Sequence, residues 1–180
     1  AVGIRDLLAE VVDGAVPMAE RKLLGLFVEP DSENPVLFAD ADFAGCLQTS
    51  RSTSGAFLAL RGPDARFPIS GGSNTQTCVS HSTAEAEIVA ANTAVRTIGL
   101  PTKVLMEFVL NKDVDLVLHE DNQATLRVIK TGRSPALRHL SRTHHVNIAW
   151  LTERVNEREL HPQYVDTSKQ ASDIFHVEIY

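Results

Sequence analysis

Basic charge is scarce in this chain. Lys and Arg total 17 against 23 Asp and Glu, a formal net charge of −6 with a sequence pI near 5.6. That balance argues against a broad cationic face, the usual electrostatic footprint of an autonomous nucleic-acid binder. Any nucleic-acid partner then needs local basic residues or metal ions. Cysteine is scarce too: Cys46 and Cys78 make neither a metal-ligand spacing nor a disulfide framework, which points to a reduced compartment. No apolar run approaches the length of a membrane span, and the opening AVGIRDLLAEVVDG lacks the basic-then-apolar order of a secretory signal. The expectation is a soluble, intracellular chain without membrane insertion. Repeats, low-complexity tracts and interdomain linkers are also missing, and 43% apolar content over 180 residues suits one well-buried domain.

What is present reads as alternating sheet and helix. Apolar residues recur helically over 1–12 until Gly14 and Pro17 break the pattern. LLGLFVEP (23–30) and VLFADAD (36–42) suggest neighbouring strands, and GAFLALRG (55–62) and ARFPISG (65–71) supply two more. From Thr83, Ala84, Ile88, Ala91, Val95 and Ile98 follow helical spacing, with Ser82 or Thr83 able to cap the start. A break at Gly99-Leu100-Pro101 precedes a second helix through Val104, Leu105, Phe108 and Val109. VDLVLHE (114–120) is a strand of the buried type, and Asn122 opens a helix through Leu126 and Ile129. After the loop TGRSPALRHLSR a helix runs over 145–157. ELHPQYV (159–165) is an edge strand that tolerates its proline, and a last helix starts near Lys169. This order predicts a mixed α/β sheet covered by helices.

Four acidic residues sit in four separate contexts: Asp40 in LFADADFAG, Glu87 in STAEAEIVA, Asp121 in LHEDNQA and Asp173 in QASDIF. Asp121 lies at a strand-to-helix turn, where functional groups of α/β sheets collect. Asp40 and Asp42 alternate with alanines and point to one side of their strand, so either reaches the crevice. Glu85 and Glu87 flank the same helical stripe, and spacing does not choose between them. Clustered carboxylates repel one another unless a hard cation such as Mg²⁺ joins them, and a two-metal arrangement hydrolyses phosphodiesters.

The blocks around these acids resemble a known family. FADADFAGCLQTSRSTSGAFLAL, SHSTAEAEIVAA, LHEDNQAT, LSRTHHVNI and YVDTSKQASDIF are similar, in order and spacing, to the ribonuclease H domain of copia-type LTR retrotransposon Pol polyproteins. The resemblance covers about Leu23 to Phe175. It implies a ribonuclease H-like fold with a mixed five-stranded sheet flanked by helices over 23–180, preceded by a helical extension over 1–22. It also implies that Asp40, Glu87, Asp121 and Asp173 are the catalytic, metal-binding set for Mg²⁺ or Mn²⁺, with Asp42 and Glu85 as companions. The implied activity is endonucleolytic hydrolysis of the RNA strand of RNA–DNA hybrids, and the implied partner besides hybrid is a reverse transcriptase domain or a larger assembly.

Expected substrate contacts are Arg51, Ser52, Thr53, Ser54, Asn122, Gln123, Arg142 and His145. The chain departs from the family at Phe43, Ile88, Glu120, His144 and Asn147, and basic residues are missing after Phe175. These departures support a rival reading, a catalytically silent descendant kept as an interaction subunit of a protein assembly. Of these departures Glu120 matters most, because a carboxylate beside Asp121 repels phosphate unless it points away from the crevice. Arg138, His139, Arg142, His144 and His145 form a basic cluster that either binds hybrid, closes over the site or is a solvated helix start, and Trp150 is expected in the core.

Overall fold

In the computed structural model, the described residues are 34–61 and 66–172. The helix expected over 1–12, the strand expected over 23–30, Asp173 and most of the helix expected from Lys169 onward fall outside them. The strands are β1 (Pro35–Asp42), β2 (Thr53–Arg61), β3 (Arg66–Thr75), β4 (Leu116–Glu120) and β5 (Leu160–Tyr164). They form one sheet in the order β3-β2-β1-β4-β5. β1, β2 and β3 make the expected antiparallel meander, whereas β4 and β5 join in parallel, with β5 at the edge. The edge position accommodates Pro162, which has no N–H to give to a further neighbour.

Helices α1 (Thr83–Ala94) and α2 (Leu100–Leu110) follow β3, and α3 (Gln123–Thr131), α4 (Leu140–Thr143) and α5 (Ile148–Asn156) lie between β4 and β5. The main core lies between α1, α3, α5 and one sheet face. Leu37, Leu58, Leu116, Leu118 and Leu160 meet Ala91, Ala94, Val95, Ile129 and Leu151 there. Period-2 alternation sends Val36, Phe38 and Val117 to the opposite face, where Val165 and Ala171 pack on them.

Two local expectations are corrected. The chain does not break at Gly99-Leu100-Pro101: one wide π turn (Val95–Gly99) carries α1 directly into α2. Pro101 is tolerated because it falls in the first turn of α2, where its missing N–H has no acceptor to lose. Gly99 is required by a close approach, since a Cβ there would sit 2.9 Å from the Leu116 side chain and 3.0 Å from that of Leu37. The stretch 133–147, read as mostly loop, contains a 3₁₀ turn (Pro135–Leu137) and α4, whose Leu137 and Leu140 pack with Ile88, Val89 and Val146.

Candidate active site

Parallel pairing places the first and third acids. The β1–β4 register runs Val36 with Val117, Leu37 with Leu118 and Phe38 with His119. Two residues further along each strand come Asp40 and Asp121, which are therefore level at the carboxyl ends of neighbouring strands. Across the other edge of β1, Asp40 is paired with Gly55, which has no side chain to crowd it.

Small residues deliver the second acid. Ala41 of β1 packs against Ala86 and Ala90 of α1, so the helix lies close to the strand end and Glu87, next to Ala86, reaches the same place. Ser82 caps α1 by accepting the Glu85 N–H. Buried Gln76 fixes the helix to the sheet by donating to the Ser54 hydroxyl and the Ala86 carbonyl, both at 2.9 Å. The result is that Asp40, Glu87 and Asp121 each offer a carboxylate oxygen within 4.8 Å of the others.

The electrostatics of this cluster follow from crowding and burial. Glu87 is 4% exposed. Burial first, then the charges of Glu120 and Asp40, push its carboxyl up to about 10. Glu120 is wholly buried, and burial reinforced by Asp121 and Asp40 raises its carboxyl as well, against one stabilising hydrogen bond from the Asn122 N–H at 3.2 Å. The Glu87 and Glu120 Oε2 atoms are buried without a hydrogen-bond partner. Glu120 thus lies beneath the cluster, inside the fold, and is not a surface carboxylate that meets phosphate.

The other companions separate as well. Glu85 faces away into its own network: Oε1 accepts from His139 Nε2 at 3.0 Å and lies 3.3 Å from His144 Nε2, while Oε2 accepts the His81 N–H at 3.0 Å. Burial opposes its charge, but these donors prevail and hold its carboxyl below the ordinary range. Consequently His139 and His144, read as members of a basic cluster, are turned inward to Glu85. Arg138, Arg142 and His145 remain exposed.

The expected phosphate-facing hydroxyls are also divided. Ser52 is fully buried and accepts the Ala44 N–H at 3.1 Å, and buried Ser54 accepts from Gln76. Both stabilise the fold from within, a correction to their placement at the surface. Arg51 is exposed and Thr53 half-buried. Asn122 caps α3 through hydrogen bonds from Ala124 and Thr125, with Gln123 exposed beside it.

Two residues not singled out by sequence tie the end of the domain to the acids. The Thr167 hydroxyl donates to Asp121 Oδ2 at 2.7 Å, and buried Gln170 donates to the Ala39 carbonyl at 2.8 Å, next to Asp40. Both stand in YVDTSKQASDIF, where the family block has Thr and Gln at the same places, and that match is the signal by which sequence marks them. Gln170 lies three residues before Asp173, which falls outside the described residues.

No protein-family model matches the chain. Over 145 residues, 78% of its length, it is 28% identical to the Retrovirus-related Pol polyprotein from transposon TNT 1-94 of Nicotiana tabacum, and it spans 10% of that polyprotein. Among solved structures, LC11-RNase H1 isolated from compost matches with a TM-score of 0.55 at 12% identity, covering 79% of this chain and 92% of that one. The same enzyme in complex with RNA/DNA hybrid matches with a TM-score of 0.52 at 13% identity over 79% and 93% of the two chains. Prototype Foamy Virus protease-reverse transcriptase gives 0.50 at 15% identity, over 83% of this chain and 20% of that one. The mixed sheet ordered β3-β2-β1-β4-β5 is that of a ribonuclease H-like fold, and the sequence is similar to part of a retrotransposon Pol polyprotein.

Proposed function

We propose that this domain is a metal-dependent ribonuclease H that hydrolyses the RNA strand of RNA–DNA hybrids. The observation that carries the reading is the convergence of Asp40, Glu87 and Asp121 at the carboxyl ends of β1 and β4. Their chemistry fits a divalent cation. The donors are all carboxylate oxygens, the Glu87 Oε2 is buried without a partner, and the Glu87 carboxyl is driven toward its neutral form for want of positive charge. Asp40, Glu87 and Asp121 would hold Mg²⁺ or Mn²⁺, with Asp173 as a fourth ligand. A bound ion pair supplies activation of the attacking water and neutralisation of the leaving oxygen.

The chain's own residues do the positioning. Thr167 fixes the rotamer of Asp121 by donating to one oxygen, leaving the other for the site. Exposed Arg51 and Arg142 are guanidinium donors for backbone phosphates, and Gln123 at the start of α3 is a donor and acceptor for 2′-hydroxyls, the groups that tell RNA from DNA. The hybrid-bound compost enzyme of the same fold supports hybrid as substrate. The foamy-virus relative supports a reverse transcriptase domain as partner within a longer polyprotein. In the test, purified protein with Mg²⁺ cuts a labelled RNA–DNA hybrid, EDTA stops cutting, and Asp121→Asn abolishes it. Intact hybrid with the unmodified protein sinks the reading and leaves the silent interaction domain in its place.

A further inference from the structure

No residue of α2 is buried, although a helix of a packed domain ordinarily hides one face. Val104, Leu105, Phe108 and Val109 form a continuous apolar stripe along it, each between 42% and 63% exposed. The two charged residues of α2 stand on its other side. Lys103 donates to the Val114 carbonyl at 2.7 Å, and Glu107, which also pairs with Lys103, accepts the Val114 N–H at 3.4 Å. No charge of α2 therefore interrupts the stripe. We propose that residues 4–12 of the same chain pack on it as a helix and give α2 its cover in cis. The proposal is independent of the nuclease reading.

The occupant is indicated by where the chain enters the sheet. Asn34 accepts the Asp115 N–H with its Oδ1 at 3.1 Å, so the chain leading into β1 arrives at the same α2–β4 connection that Lys103 and Glu107 hold. In the sequence before it, Ile4, Leu7, Leu8, Val11 and Val12 recur at the spacing that puts all five on one helical face. Arg5, Asp6 and Glu10 fall on the other. Two such apolar stripes interdigitate as ridges into grooves. Reach is no obstacle: the 21 residues 13–33 separate Val12 from Asn34. Extended, they span about 70 Å, against about 16 Å for the length of α2.

A second copy of the chain is a poorer occupant. The four side chains of the stripe offer on the order of 400 Å², about half of the roughly 800 Å² per partner that a stable complex buries. A tethered segment needs no such area, because its local concentration is about millimolar without any association step. The pairing also accounts for two features at once, an amphipathic segment ahead of the sheet and an apolar helix face that the described residues leave bare.

Hydrogen exchange on the full 180-residue chain, read peptide by peptide, tests the contact. The amides of 4–12 should exchange about tenfold slower, or more, than in an unstructured peptide, and equally at low and high protein concentration. Phe108→Asp, at an exposed position, should abolish that protection while the amides of β1 and β4 keep theirs. Leu8→Asp should speed exchange over 104–109 by about tenfold, which probes the same contact from the other side should Phe108→Asp disturb the fold. Unprotected 4–12 amides in the unmodified chain overturn the proposal and leave the face to a different protein. Protection that survives Phe108→Asp, or α2 exchange unmoved by Leu8→Asp, overturns it as well. So does protection that grows with concentration alongside a doubled mass in sedimentation, which would assign the face to a second copy.

Discussion

Two pairs of neighbouring acids, Glu85 with Glu87 and Glu120 with Asp121, have opposite fates that their side-chain surroundings explain. Glu85 finds two donors, His81 N–H and His139 Nε2, with His144 close by, and stays charged, whereas Glu87, two residues on, finds only other acids. Glu120 accepts one backbone N–H with Oε1 and leaves Oε2 buried and unpaired, so the neutral form is the one the fold accommodates. Because Gln is a neutral mimic that keeps an acceptor oxygen for the Asn122 N–H, Glu120→Gln should change stability at pH 7 by less than about 1 kcal/mol. Glu120→Ala, which strands that N–H, should cost about 1–3 kcal/mol. Urea denaturation compares them, and equal losses in the two variants would show that Glu120 is held charged.

At the scale of elements, α1 depends on its first turn. Ser82 and Glu85 form a capping arrangement, with Glu85 also clamping His139 and His144 from the α3–α5 connection. Ser82→Ala should cost about 1 kcal/mol, the ordinary value of an N-cap. Glu85→Ala should cost about 3 kcal/mol, because two imidazoles lose a buried carboxylate. Similar losses for the two in a denaturant series would mean that the histidine clamp contributes nothing. The cap was legible to within one residue, Ser82 or Thr83, and α3 behind Asn122 and the Pro-bearing edge strand were legible too. Three features were not. The clamp joins residues 54 and 59 positions apart, beyond any local pattern. The continuous path from α1 into α2 depends on a π turn that Gly and Pro conceal. And the apolar residues that marked α2 as a helix say nothing of its burial: Val104, Leu105 and Phe108 are 63%, 58% and 52% exposed, because periodicity reports a helix without saying what covers it. The acids follow the same logic: sequence alone left Asp40 with Asp42 and Glu85 with Glu87 undecided, since only the β1–β4 register and the Ala86–Ala41 contact bring the chosen members together.

For the whole molecule, the crowded acids couple folding to pH and to divalent ions. In the unfolded chain Glu87 loses its proton near 4.5, and in the folded chain near 10, so between these values the folded state binds more protons. Stability therefore falls as pH rises through that window. His144 acts in the opposite sense: burial holds its imidazole neutral in the fold, so its contribution is lost as pH falls below the ordinary value of 6.5. The two effects separate above neutrality, where His144 is neutral in both states. Thermal melts in EDTA between about pH 7 and 9 should show a declining midpoint, and Glu87→Gln should flatten the decline because it carries no proton to lose. Added Mg²⁺ should raise the midpoint most at the upper end of the range, where the unmodified protein gains from a cation that binds only the folded, deprotonated site. Glu87→Gln should lose most of that gain. A midpoint that declines equally in Glu87→Gln, or a Mg²⁺ effect that ignores the substitution, would place the pH coupling in some other group and remove Glu87 from the ion site.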